Sequence, residues 1–302
     1  VNKVKKYLIV IAGPTAVGKT DIAIQLAKSY GSVIVSADSR QFYKGMDIGT
    51  AKPSEEQLAE VPHYFINTKN PDELYGAGHY EKDAIELLED LFKKHTVVFL
   101  VGGSGLYINA VLKGVDDFIE VPSDIREELN KTFIEKGMSW LQEEVKKRDP
   151  EYSDAVDINN PQRLVRALEV CLFTGQKYSS FLNREREPRK FDAIKILINT
   201  DRVKLYDQIN RRVDDMMQAG LLEEAKKMHP FKKENALKTV GYKELYAFMD
   251  GSYDLKAAVE KIKQHTRNYA KRQLTWFKNQ DQFIEFSPEE LSKIRTYIDS
   301  KI

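Results

Sequence analysis

The sequence predicts an α/β fold, a mostly parallel sheet flanked by helices and interrupted by an all-helical insertion. Three observations predict it. A continuous apolar run, YLIVIA at residues 7–12, leads directly into the glycine-rich GPTAVGKT and then into a helical pattern. Further apolar runs alternate with helical stretches, as in a parallel sheet covered on both faces. Between about residues 121 and 189 the strand signals stop and only helical patterns remain.

The elements follow in order. YLIVIA has the unbroken apolar character of a central strand, buried on both faces. Residues 21–30 read as a helix, with Ile22 and Leu26 on its apolar stripe. SVIVS (32–36) and TVVFLV (96–101) are the next strands, and AIKILIN (193–199) is a later one. In such sheets ligands bind at the carboxyl ends of strands. Three of those ends carry Gly13, Asp38 and Gly102, so these residues are expected to converge on one site. IREELNKTFIEKG, SWLQEEVKKRD and PQRLVRALEVCLFTG make up the insertion, which closes in the charged stretch 183–190, NREREPRK. Residues 1–120 and 190–302 are therefore expected to form a discontinuous core, with 121–189 as a helical domain. Helices resume at Arg202, and the last long one, 254–278, is rich in basic residues.

Composition sets outer bounds. The chain has 302 residues, of which 42% are hydrophobic and 31% charged, enough for a large core or a core plus a smaller domain. The 47 basic and 46 acidic residues leave a net charge of +1, which neither demands nor forbids a nucleic-acid partner. No apolar run reaches the roughly 18 residues of a membrane helix. The basic start and short apolar stretch resemble a signal peptide, but the run continues into the glycine-rich loop and reads better as a buried strand. A single cysteine, Cys171, excludes an internal disulfide and a multi-cysteine zinc site; among apolar neighbours it reads as a buried thiol. A reducing cytoplasm is the expected compartment.

The chemistry begins at residues 13–20. Gly13, Pro14, Thr15, Ala16, Val17, Gly18, Lys19 and Thr20 match G-x4-G-K-T, after a strand and before a helix. This is a P-loop, and it makes the expected sheet P-loop NTPase-like. Its glycines let backbone N–H groups turn inward toward phosphate oxygens, and the helix N-terminus adds partial positive charge. Lys19 supplies a full charge, and the Thr20 hydroxyl is a ligand for Mg²⁺. A nucleotide hydrolase would show a second apolar strand ending in an Asp for the metal. Here TVVFLV ends in Gly102-Gly103-Ser104 instead, which weakens the ATPase reading without excluding a small-molecule kinase. Asp38 ends the second strand, and from position alone it is equally a general base, a metal ligand or a turn-former.

GPTAVGKT, DSRQFYKGMDIGTAKP, PHY, VGGSGLY, NPQRLVRALEV, VGYKE and TRNYAKRQLTWF together, running from residue 13 to residue 277, closely resemble the bacterial tRNA dimethylallyltransferases. The resemblance implies transfer of a dimethylallyl group from dimethylallyl diphosphate to N6 of adenosine 37 in tRNA, with the P-loop and Mg²⁺ holding the diphosphate. It implies that Asp38 is the catalytic base, that Ser104 is a catalytic substrate contact where many members have Thr, and that Thr15 lies near the diphosphate. The target adenine would leave its stack to be modified. RNA contacts are implied at Asp38, Ser39, Arg40 and Gln41, at Ser104, and at Gln162, Arg163, Leu164, Val165 and Arg166. Further ones are implied at Arg126, at Gly241 and Lys243, and at Arg267 and Arg272 with Lys271 nearby. Trp276 and Phe277 read as core residues and His63 as structural.

Eukaryotic relatives carry a C-terminal zinc finger; with no Cys/His cluster before Ile302, the helical insertion and basic helices are expected to grip the anticodon stem-loop. No membrane and no obligate protein partner are implied, and a monomer is expected. Three other readings stand behind this one: an adenylate isopentenyltransferase acting on free AMP or ATP, a P-loop kinase, and a non-catalytic RNA-binding protein.

Overall fold

The computed structural model describes residues 5–116, 119–182, 187–280 and 282–302. The start of the chain (1–4) and the head of the charged stretch (183–186) lie outside the described residues. The chain divides into two compact units, Val1–Lys113 with Arg189–Ile302, and Gly114–Pro188.

The first unit is built on six strands: β1 (Tyr7–Ala12), β2 (Ile34–Ser36), β3 (His63–Tyr64), β4 (Val97–Gly102), β5 (Asp192–Ile198) and β6 (Ile284–Phe286). They form one sheet in the order β3-β2-β4-β1-β5-β6, and every pair is parallel. The sheet bears out the α/β expectation. All six residues of β1 are buried, which is why its sequence is unbroken apolar rather than alternating. The period-2 pleat sends Leu8, Val10 and Ala12 into one core with Val35 and Leu100, and Tyr7, Ile9 and Ile11 into the other with Ile22 and Leu26. Each fully buried Leu or Ile there contributes about 1.5–3 kcal/mol relative to exposure.

Helices α1 (Lys19–Ser29), α2 (Glu55–Glu60), α3 (Ala77–Lys94) and α4 (Gly105–Leu112) precede the second unit. That unit holds α5 (Ser123–Arg148), α6 (Pro150–Ala155) and α7 (Pro161–Thr174). After it come α8 (Arg202–Gln218), α9 (Leu221–Met228), α10 (Tyr242–Met249), α11 (Leu255–Lys278) and α12 (Leu291–Asp299). Local chemistry sets many of the boundaries. The Ser54 hydroxyl accepts the Gln57 N–H, while the Gln57 side chain accepts the Ser54 N–H, a reciprocal cap on α2. Asp201 caps α8 and Asp254 caps α11. Helix α7 starts with Pro161 behind an Asn160 cap and stops at Gly175 in the left-handed region.

In the second unit, Leu129, Leu141, Val145, Leu164, Val165 and Leu168 form a separate core. Glu169 is fully buried beside it and is compensated by two arginines: Arg126 forms a two-pronged pair with its carboxylate, and Arg166 donates at 2.5 Å. Cys171 is buried on the same helix. Among the described residues, no helix is long and apolar enough to cross a membrane.

Candidate active site

Sheet register brings three strand ends together. Ala12 pairs with Gly102 and Ser36 with Val101, so the P-loop, the Asp38 turn and the Gly102–Ser104 segment leave the same edge side by side. This proximity explains why β4 ends in glycine. A Cβ on Gly102 would meet the Ala37 carbonyl oxygen at 2.3 Å, and one on Gly103 would meet the Gln273 amide nitrogen at 2.3 Å. Backbone therefore excludes an Asp at Gly102, while one at Gly103 would have to push the Gln273 side chain from its place.

The P-loop bends from β1 into α1, with Lys19 as the first helical residue. The Lys19 ammonium donates to the Pro14 carbonyl at 2.7 Å. Burial, reinforced by the nearby Arg212 and only partly offset by Asp38, pulls its pKa down to about 7. The loop is tied from outside as well. The Thr15 N–H donates to the Gln273 side-chain oxygen at 2.9 Å, and the Gln273 amide donates to the Gly103 carbonyl at 2.8 Å. The Val17 side chain is buried in the core, so only its backbone faces the loop's interior role.

Asp38 is held in a tight turn: its Oδ1 accepts the Arg40 N–H at 2.9 Å, and the Ser39 N–H donates to the Ser104 hydroxyl at 3.0 Å. Tyr269 shares a side-chain hydrogen bond with Ser104, and burial pushes its phenol up to about 12, so it stays a neutral hydroxyl. Gln41 faces inward, accepting from the Ser36 hydroxyl at 3.1 Å and donating to the Thr50 and Ala51 carbonyls at 3.3 and 3.2 Å.

Two cavities meet here. The first is lined by Lys19, Thr20, Ser36, Gln41, His63 and Gln273 among others. The second is lined by Arg40, Lys238, Gly241, Lys243, His265 and Arg272, with Val213, Met216, Leu221 and Ile262 as its apolar part. Thr15, Asp38, Thr50, Arg212 and Tyr269 belong to the walls of both. Asp38 therefore stands where a group held by the P-loop and a group entering the second cavity would face each other.

The structure redistributes several sequence-predicted positions. Leu164 and Val165 are core residues of the helical unit, 0% and 8% exposed, so their side chains are not offered to a nucleic acid; helical periodicity leaves Gln162 and Arg163 on the exposed side. Arg126 and Arg166 are committed to Glu169, and Arg166 also donates to the Ile119 carbonyl at 3.0 Å. Arg267 donates to the Asn210 side chain at 2.6 Å and lines neither cavity, whereas Arg272 faces the second. Ser104 lines neither cavity, and its hydroxyl accepts the Ser39 N–H in the Asp38 turn. Phe277 is buried and Trp276 packs against the same core.

Three residues were missed by sequence reasoning. Arg212 lies on α8 just after Ile209, and burial lowers its pKa while Asp38 opposes that shift. Tyr269 and Gln273 are four apart on α11, on one inward face. The available signal was a polar residue within each helix's apolar stripe.

The sheet, the P-loop and the acid at the junction of two cavities define a P-loop protein built to bring a phosphorylated group and a second substrate together. The IPP transferase family model matches residues 41–280. A tRNA dimethylallyltransferase of Christiangramia forsetii is 50% identical over 297 residues, covering 98% of each chain, and tRNA dimethylallyltransferase 1 of Bacteroides fragilis is 45% identical over 98% of this chain and 99% of its own. Among solved structures, the full-length tRNA isopentenylpyrophosphate transferase of Bacillus halodurans superposes with a TM-score of 0.72 at 37% identity, over 99% and 97% of the two chains. A eukaryotic dimethylallyltransferase acting on tRNA gives 0.81 at 25% identity, over 98% of this chain and 77% of that one. The chain belongs to the IPP transferase family, that of the tRNA dimethylallyltransferases.

Proposed function

We propose that the protein transfers the dimethylallyl group of dimethylallyl diphosphate to N6 of adenosine 37, beside the anticodon of tRNA. The observation that carries this reading is Asp38 in the shared wall of the two cavities. The P-loop side, with Lys19, Thr20 and Arg212, suits a diphosphate. The other side, with Arg40, Lys243 and Arg272 around an apolar floor, suits a flipped-out nucleotide and its phosphates.

The chemistry balances with these groups. The C1–O bond of the allylic diphosphate breaks as the N6–C1 bond forms. Asp38 accepts the N6 proton that the new bond makes acidic, and later gives it to solvent. Lys19, Arg212 and the loop N–H groups stabilise the charge that develops on the departing diphosphate. Tyr269, Ser104 and the Asp38 turn hold the carboxylate in place.

A divalent cation fits the donors present. Thr20 and Asp38 offer hard oxygen atoms in the P-loop cavity, and among the described residues no group of three or more His, Cys, Asp or Glu forms a protein cage. Such a site suits Mg²⁺, which keeps substrate phosphate oxygens and water in its shell, with Thr20 as its ligand from the loop. When bound, the ion would neutralise part of the leaving group's charge. The reading places the protein in the cytoplasm as a monomer, with the exposed Gln162 and Arg163 and the basic residues of α11 meeting the anticodon arm.

The test is incubation of the protein with dimethylallyl diphosphate, Mg²⁺ and unmodified tRNA whose anticodon ends in A, followed by nucleoside analysis. Prenylated adenosine is expected in the RNA, with diphosphate released and ATP not consumed. Product from free AMP with none from tRNA would transfer the reading to an adenylate isopentenyltransferase; consumption of ATP with phosphoryl transfer would make it a kinase.

A further inference from the structure

The transfer chemistry leaves one heavily bonded carboxylate unused. Glu224, on α9, accepts the backbone N–H groups of Asp47 at 2.9 Å and Ile48 at 2.8 Å on one oxygen. Its other oxygen accepts the Gly49 N–H at 2.8 Å and the Tyr242 hydroxyl at 2.6 Å. Three consecutive loop amides have thus given their hydrogen bonds to a single ionised side chain. Charge-assisted bonds of this kind are stronger than neutral ones, and unmade backbone bonds are costly.

The loop so held is the one between the cavities. Gly49 lines the second cavity and Thr50 lines both; Ala51 and Pro53 line the first. A second anchor holds the loop's far side, where Gln41 donates to the Thr50 and Ala51 carbonyls. The buried Lys52 ammonium braces it further, donating to the Tyr43 carbonyl at 2.5 Å and to Asp47 at 2.8 Å. Glu224 supplies the anchor on the α9 side, and Leu221, one turn earlier on that helix, is itself a wall of the second cavity.

We propose that Glu224 is a positioning residue for the transfer reaction. It acts through the Asp47–Ile48–Gly49 amides to hold Thr50 between the two substrates, and it touches neither of them. The proposal rests on the transfer reading above. A glutamine cannot replace it: one acceptor oxygen is lost, and the new amide would point N–H groups at backbone N–H groups.

The test is Glu224→Gln beside Tyr242→Phe, each measured below its melting transition. In Glu224→Gln, amide exchange at residues 47–49 should accelerate at least tenfold while the β1 amides stay protected. Per folded molecule, kcat should fall about tenfold or more, as expected for lost alignment of reacting groups. Binding of inorganic diphosphate should stay within twofold, because the P-loop makes no contact with Glu224. Tyr242→Phe keeps all three amide acceptors and should retain kcat within threefold. A kcat for Glu224→Gln within twofold of wild type would reduce Glu224 to a purely structural group and overturn the proposal, as would unchanged exchange at residues 47–49.

Should Glu224→Gln not fold, Gly49→Ala displaces the loop from the same Glu224–Tyr242 anchor, since its Cβ would meet the Tyr242 ring at 2.7 Å. The same loss of kcat is expected there, and normal turnover overturns the proposal. If the wild-type protein transfers nothing to tRNA, the transfer reading fails by itself; faster exchange in Glu224→Gln then supports the clamp and unchanged exchange overturns it.

Discussion

Diphosphate binding should carry a proton into the site. Burial and Arg212 hold Lys19 at about 7. At pH 8 a group with that pKa is about nine-tenths neutral. A diphosphate beside the ammonium favours its charged form and raises the pKa well above 8. The sign follows: the ligand binds the protonated form better, so binding takes up about 0.9 proton per site at pH 8 and about 0.1 at pH 6. The Lys19 contribution to affinity is fully developed below pH 7 and weakens up to about tenfold per pH unit above it, until the bound-state pKa is reached. Isothermal calorimetry with inorganic diphosphate, repeated in buffers of different ionisation enthalpy, reads the proton count as a slope. Lys19→Arg keeps a cation that does not titrate in this range, so its uptake at pH 8 should fall to the part contributed by diphosphate itself. Equal uptake in wild type and Lys19→Arg would refute the reasoning, and so would a ratio of their binding constants that does not change between pH 7 and pH 9.

Three more outcomes follow from the same geometry. Asp38→Asn should reduce transfer about 10²–10⁴-fold, the usual share of a positioned general base, while a filter-binding Kd for tRNA stays within threefold. Gly102→Ala places a methyl group 2.3 Å from the Ala37 carbonyl oxygen; it should destabilise the first unit by about 1–3 kcal/mol in urea unfolding, with the loss largest in the Asp38 turn. Glu169→Ala removes the buried partner of Arg126 and Arg166, which stay partly exposed, and the helical unit should lose about 1.5–3 kcal/mol, seen as its earlier melting in a thermal scan.

The sheet was readable in the sequence where strands are buried on both faces. Tyr7–Ala12 and the strand now seen at Val97–Gly102 announce themselves as continuous apolar runs. The short edge strands His63–Tyr64 and Ile284–Phe286 do not. They have two and three residues, no fully buried face, and exist as strands only because a neighbour pairs with them. The strand read over 32–36 forms only over Ile34–Ser36, because the Ser32 backbone N–H is spent on the Ala27 carbonyl of α1 at 2.9 Å.

The site divides along the same line. The P-loop and Asp38 are local: their chemistry and backbone shape come from adjacent residues. Arg212, Tyr269 and Gln273 reach the cavity from α8 and α11, and in one dimension they look like the polar margin of amphipathic helices. Only the packing of those helices turns them inward. The reverse error arose at Leu164 and Val165, where a stretch taken as one contact surface alternates between exposed and buried sides of a single helix.

The bond between Thr15 and Gln273 joins positions 258 residues apart. A ribosome releases the P-loop early and α11 among the last helices. During synthesis, then, GPTAVGKT emerges long before the side chain that fastens it. A nascent chain halted before residue 273 would carry the phosphate motif complete in letters and unfinished in shape. The P-loop is fastened in its final shape only after α11 has left the tunnel, so a chain stopped short of that helix would hold a phosphate group less firmly than the folded protein does.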